Sequence, residues 1–323
     1  VNKNSAEVSV LAAMISPDRI LKTASPDLLR DLDLTNDELL YLLDLADDVK
    51  ASPRAYAHVL DGKSIALLFE KPSLRTKLTF ELAITQLGGH ATFLEGPIGV
   101  REPLKDVARN LERWFNGLVA RVFAQQTVED LANWSSVPVI NALSDMYHPC
   151  QALADVLTVR GRFGSLAGLR MAFVGDGNNV AQSLMLTCLR LGMDFALACP
   201  VGYQPNPDLV DQAEGLAAVS GASLLITHDP AAAVAGAHAV YTDVWASMGQ
   251  EHEAILRKKV FAPYQVDDRL FGGARPDAIF MHCLPAKRGE ETTDSVMENG
   301  RSAVFDQAEN RLHAQKALLL MML

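Results

Sequence analysis

The sequence contains no CxxC pair. Its four cysteines, Cys150, Cys188, Cys199 and Cys283, stand singly, which excludes a dense disulfide framework and points to free thiols in a reducing, cytoplasmic compartment. No apolar run approaches the roughly 20 residues that span a bilayer; the longest closes the chain as Ala317 to Leu323. No basic region followed by an apolar stretch and a small-residue cleavage site stands near Val1, so no secretory signal is read. Positive charge is in deficit, with a formal net charge of −10, which argues against a general nucleic-acid binder. A G-x-S-x-G elbow is missing, so Ser-His-Asp hydrolysis is poorly supported. What remains is an ordinary globular composition, 49% hydrophobic and 21% charged over 323 residues, long enough for two separate cores.

Strand-like and helix-like segments alternate almost throughout, the signature of α/β architecture with doubly wound parallel sheets. In the first half the strands are read at Ser64–Phe69, His90–Leu94, Leu118–Phe123 and Val137–Asn141, with an amphipathic helix over Pro103–Gly117 that turns Leu104, Val107, Ala108, Leu111, Trp114 and Phe115 to one face. In the second half they are read at Leu169–Val174, Asp194–Ala198, Ser223–Thr227, Ala239–Thr242 and Ala278–His282. A helical segment from Pro149 to about Arg162 bridges the halves. Two domains are therefore expected, 1–150 and 151–306, joined by interdomain helices, with a C-terminal helix over 307–323 packing back on the first domain.

The segment Glu70-Lys71-Pro72-Ser73-Leu74-Arg75-Thr76-Lys77-Leu78 follows a buried strand and opens a helix marked by Leu74, Leu78 and Leu82. Ser73 is the expected N-cap. A helix N-terminus offers unpaired N–H groups and positive dipole to an anion, and Arg75 and Thr76 add a donor fork and a hydroxyl suited to phosphate. An ordinary capped helix with a solvated Arg is the competing reading. Arg121 sits inside the apolar run Leu118 to Phe123, where a charge is costly unless paired or bound to an anion; the alternative is an edge-strand Arg facing water.

Polar residues also follow other strands: His148-Pro149-Cys150-Gln151, Asn178-Asn179, Asp243 to Gly249, and His282-Cys283-Leu284-Pro285. Open α/β sheets bind ligands at the carboxyl ends of their strands, so these segments are expected to meet in one cleft. The turn Gly175-Asp176-Gly177-Asn178-Asn179-Val180 tempts a dinucleotide reading, but the third glycine position holds Val180 and the next strand ends in Ala198-Cys199-Pro200 with no acidic residue. A nicotinamide-dependent oxidoreductase is thus a weak alternative. Metal ligation by His148, His282 and Cys283 is possible by residue type and unsupported by spacing, so no metal is expected.

With these motifs in this order, the chain resembles the aspartate/ornithine carbamoyltransferases, on the ornithine side of that family, from about Ser25 to Leu320. Ser73-x-Arg75-Thr76 is similar to the family's carbamoyl phosphate loop and His148-Pro149-Cys150-Gln151 to its carbamoyl-holding motif. The segments at Asp243 and His282 are similar to its ornithine-side loops, and Ala308-Glu309-Asn310-Arg311 to its closing element. The resemblance implies transfer of a carbamoyl group from carbamoyl phosphate to the δ-amine of L-ornithine, giving L-citrulline and phosphate. It implies that Ser73, Leu74, Arg75, Thr76, Arg121, His148, Gln151, Cys283, Leu284 and Arg311 bind carbamoyl phosphate, with Arg121, His148, Cys283 and Arg311 catalytic. Asn179, Asp243, Ser247 and Met248 are implied to hold ornithine. No cofactor is implied, and the family's subunits form trimers with active sites at subunit borders. Substrate supply, not the site, would decide whether such a reaction serves arginine synthesis or runs in reverse.

The sequence departs from the family at Lys77, which stands where a second Arg is common and loses its fork, and at Leu74, which replaces a common Thr. The segment Leu94 to Glu102, where a neighbouring subunit usually supplies a Gln or His, contains neither and has Pro97. The nearest alternative acceptors are putrescine and an acylated ornithine. Putrescine lacks the amino-acid head that Asp243 and Ser247 are implied to bind, and an acylated amine lacks the cation.

Overall fold

The computed structural model describes residues 14–246 and 251–323. Its first sheet contains β1 (Ser64–Phe69), β2 (His90–Glu95), β3 (Gly117–Arg121) and β4 (Val139–Leu143), its second β5 (Arg170–Val174), β6 (Asp194–Ala198), β7 (Leu224–Thr227), β8 (Ala239–Thr242) and β9 (Ile279–His282). All pairings are parallel, in the orders β2-β1-β3-β4 and β7-β6-β5-β8-β9. Each sheet reverses its winding once, between β1 and β3 and between β5 and β8, and open α/β sheets leave a crevice at such points.

The helices that matter for the site are α1 (Asn36–Ala51), α2 (Leu74–Gln86), α3 (Leu104–Leu111), α4 (Pro149–Phe163), α5 (Asn179–Arg190) and α6 (Val304–Met322). Helix α4 begins with Pro at its first position, where no N–H is missed, and ends at Gly164, whose φ of 80° suits a left-handed cap. It is buried along nearly its whole length, as expected of a helix between two sheets. Helix α6 packs on α1, α2 and α4, so the C-terminal apolar run covers the first domain rather than a membrane. Among the described residues no helix is long and apolar enough to cross one. Leu319 is fully buried in the cluster that joins α6 to α1 and α4. Leu319→Ala is therefore expected to cost about 2–5 kcal/mol, read as a lower denaturation midpoint.

Some local expectations are corrected. The helix expected over Pro103–Gly117 stops at Leu111, and Trp114 is exposed rather than on the core face. Long-range pairing decides this: Asn116 donates its N–H to Ser64 O and accepts from Ser64 N–H, fixing the chain at the start of β1 so that Gly117 can enter β3. The sequence reading assigned the leucines that marked α2 to no face; they point outward, Leu74, Leu78 and Leu82 being 45–69% exposed. Its inner face is instead Thr76, Phe80, Ala83 and Ile84.

Candidate active site

Both crevices open on one cleft. On the first sheet, the loop after β1 is held by Glu70, whose carboxylate accepts from the N–H groups of Ile98 at 3.1 Å and Phe123 at 2.9 Å. Lys71 Nζ lies 4.4 Å from the Phe123 ring centre. Ser73 then caps α2, its hydroxyl accepting from the Thr76 N–H at 3.3 Å, which leaves the earlier amides of the first turn to meet an anion.

Arg121 ends β3, which lies between β1 and β4, and it is only 9% exposed. The edge-strand reading is thereby excluded. A register shift between Ala120 and Arg121 turns the strand at this point, as bulges do beside functional sites. Arg121 Nη1 reaches Thr76 Oγ1 at 3.5 Å, and Arg311 Nη2 from α6 donates to the same oxygen at 2.8 Å. Burial, together with the charges of Arg311 and Arg75, pushes the Arg121 guanidinium down to about 10, and burial lowers Arg75 and Arg311 as well. Cations gathered this closely in a largely buried site favour an anion between them.

His148 precedes α4 and is held by its backbone N–H, which donates to Ser183 Oγ at 2.8 Å. Burial, then the charges of Arg311 and Arg121, keeps its imidazole well below the ordinary range. It is a neutral donor or acceptor near pH 7. Gln151, one turn into α4, is buried beside it.

On the second sheet, Asn178 caps α5, accepting from the N–H groups of Val180 and Ala181, while its Nδ2 donates to Asp243 Oδ2 at 3.0 Å. Asp243 follows β8, and its Oδ1 accepts from the Val244 N–H at 2.8 Å and the Cys283 thiol at 3.0 Å. Burial and the Asp243 carboxylate raise the Cys283 thiol well above its usual range, so Cys283 is a protonated donor and not a thiolate nucleophile. The glycine turn that suggested a dinucleotide has a packing reason: a Cβ on Gly177 would stand 2.4 Å from Pro205 N.

These residues line one cavity of ≈ 430 Å³ that contains Ser73, Leu74, Arg75, Thr76, Arg121, His148, Gln151, Asn179, Asp243, Cys283, Leu284 and Arg311. A second cavity of ≈ 510 Å³ adjoins it at Asn179 and is walled by the buried Asp176–Arg257 ion pair, 2.6 Å apart. Ser247 and Met248 lie outside the described residues. Two motif members do not reach the cleft through their side chains. Trp245 packs in the core against Phe261. His282 is fully buried, with Nε2 3.2 Å from Glu291 and Nδ1 accepting from the Leu284 N–H. Although ligand atoms of Asp243, His282 and Cys283 lie within 4.8 Å of one another, hydrogen bonds already engage both ring nitrogens and the thiol.

Sequence models of the two domains of one family match this chain: the aspartate/ornithine carbamoyltransferase carbamoyl-P binding domain over residues 26–161, and the Asp/Orn binding domain over 167–322. The chain belongs to the aspartate/ornithine carbamoyltransferase family. It is 49% identical over 309 residues to the ornithine carbamoyltransferase of Thermococcus kodakarensis, covering 94% of this chain and 98% of that protein. It is 52% identical over 289 residues to that of Thermus thermophilus, covering 88% and 93% respectively. Among solved structures, ornithine carbamoyltransferase from Pyrococcus furiosus superposes with a TM-score of 0.90 at 48% identity, covering 94% of this chain and 98% of that one.

The motif reading missed Asp155, whose Oδ1 accepts from Gln151 Nε2 at 2.8 Å. Asp155 stands one helical turn beyond Gln151, a spacing that brings two side chains together, and that spacing was the available signal.

Proposed function

We propose that this protein transfers the carbamoyl group of carbamoyl phosphate to the δ-amine of L-ornithine, forming L-citrulline and releasing phosphate. The observation that carries the reading is one cavity lined by cations, Arg75, Arg121 and Arg311 around Thr76, and by a carboxylate, Asp243 with Cys283. Phosphate binds Ser73, Arg75, Thr76 and the start of α2. Arg121, His148, Gln151 and Arg311 hold the carbamoyl group, with Leu74, Cys283 and Leu284 beside it, while Asn179, Asp243, Ser247 and Met248 take the amino-acid head of ornithine. The neutral δ-amine attacks the carbonyl carbon, a C–N bond forms, and the tetrahedral species expels phosphate as the C–O bond breaks and the nitrogen loses its extra proton. Arg121, His148 and Thr76 are donors to the oxyanion of that species, and the bound pair gains further rate from proximity.

In this reading residues 1–150, with the helix over 307–323, serve carbamoyl phosphate and 151–306 serve ornithine. The protein is cytoplasmic, a placing supported by its free thiols. It assembles as a homotrimer or a multiple of trimers, for which the exposed leucine stripe of α2 is a suitable apolar surface. It needs no metal or cofactor.

The test is product formation from carbamoyl phosphate with L-ornithine and, in parallel, putrescine, N-acetylornithine and aspartate. Strong preference for ornithine is expected; activity only with another amine would overturn the acceptor. Turnover at saturation is also expected to rise from about pH 6 to about pH 9, because the attacking amine has a lysine-like reference value of roughly 10.4 and must be neutral. His148, already neutral, adds no opposing limb. A flat profile would contradict this account.

A further inference from the structure

The carboxamide of Gln151 has two possible orientations, and the surrounding donors select one. The chain of assignments starts at a group that can only donate: the His282 backbone N–H, which gives its proton to Gln307 Oε1 at 2.9 Å. Gln307 must therefore present its Nε2 at the other end, where it donates to Asp155 Oδ1 at 2.7 Å and to the Tyr241 hydroxyl at 3.0 Å. Asp155 Oδ1 is thus an acceptor. Gln151 Nε2 donates to that same oxygen at 2.8 Å. Gln151 Oε1 is left buried without a hydrogen-bond partner among the described residues, on a side chain only 1% exposed that lines the cleft. A buried carbonyl oxygen without a donor is costly, and a bound N–H group removes that cost.

We propose that Asp155 is a positioning residue that fixes the Gln151 carboxamide with its oxygen toward the cleft, so that the site selects an acyl phosphate bearing –NH₂ over one bearing –CH₃. This rests on the carbamoyl phosphate reading above and deepens it. Asp155 itself touches no substrate. It stands on α4 between the sheets, joined to β8 through Tyr241 and to α6 through Gln307, so three elements hold one amide. Burial pushes its carboxyl up to about 7, against the hydrogen bonds from Gln151, Gln307 and Tyr241. A proton taken up near that value has the second carboxyl oxygen to sit on, leaving Oδ1 to accept in either state.

The experiment measures, by calorimetry on the whole protein, the dissociation constants of phosphonoacetamide and of its methyl ketone counterpart, 2-oxopropylphosphonate. The wild type is expected to favour the amide by about 10- to 100-fold. In Asp155→Leu the preference is expected to shrink to within about threefold, mainly through weaker amide binding. Asp155→Asn, which keeps a carbonyl oxygen for the two amide donors, is expected to retain most of it. Equal weakening of both ligands in Asp155→Leu with the ratio preserved overturns the proposal, as does an Asn variant that loses as much as the Leu variant. Should Asp155→Leu not fold, a crystal structure of the wild type with phosphonoacetamide decides: Gln151 beside the ligand's amide nitrogen supports the assignment, and Gln151 beside its carbonyl oxygen overturns it. If both analogues bind the wild type equally, this inference alone fails. If neither binds, the carbamoyl phosphate reading fails with it.

Discussion

Replacing Arg121 by Met is expected to lower kcat/KM for carbamoyl phosphate by about 10²–10³-fold, while leaving the melting temperature unchanged or higher. The two expectations have one cause. Arg121 is buried at the end of an interior strand, and burial with the like charges of Arg311 and Arg75 disfavours its charged form. A basic group whose pKa is lowered by folding is destabilising at every pH where it remains charged. Methionine fills similar space without that charge. In the reaction proposed above the same charge would face the developing oxyanion, so its loss is expected to be felt most in the transition state. Inorganic phosphate supplies the control: it should raise the melting temperature of the wild type by binding the folded state, and raise that of Arg121→Met much less. A variant that loses activity and also melts well below the wild type would indicate a structural strand residue instead.

Asp243→Asn is expected to lower kcat/KM for ornithine by about 10²-fold, the loss of one hydrogen bond to a charged group being worth about 1.5–3 kcal/mol. The carboxylate lines the same cavity as the arginines, its Oδ2 bonded to Asn178 and its Oδ1 to the Val244 N–H and the Cys283 thiol. These are all donors, so they orient the carboxylate and leave its negative charge for the contact proposed above with the α-ammonium group of ornithine. Carbamoyl phosphate affinity should change little, because the groups around Thr76 are untouched. Any residual turnover of putrescine, which has no α-amino acid head, should be affected far less than turnover of ornithine. Equal losses with both amines, or an unchanged KM for ornithine, would remove Asp243 from the acceptor site. Burial, the largest influence on the Cys283 thiol, remains in the variant, so the substitution creates no thiolate neighbour.

Much of the site was legible because its parts are local. A strand, a capping Ser73 and a first-turn Arg75 occupy consecutive residues, and their mutual geometry follows from helix-terminus hydrogen bonding alone. The strand positions were read closely for the same reason: short apolar runs bounded by turn residues need no partner to be recognised. The α3 boundary was misread because its period continues into Trp114 and Phe115, and only the pairing of Asn116 with Ser64 ends it. The leucine spacing marked α2 as a helix but did not say which side is buried, which the packing of Phe80, Ala83 and Ile84 decides.

The sequence by itself determined the α/β class, the motifs and the residue types that meet at strand ends, since each depends on neighbours within a few positions. Tertiary structure alone decided that Arg121 lies on an interior strand, that Trp245 and His282 turn away from the cleft, and which end of the Gln151 amide faces it. Those outcomes depend on strand order and on donors contributed from Tyr241, His282 and Gln307, groups far apart in the chain that only folding brings within hydrogen-bond distance.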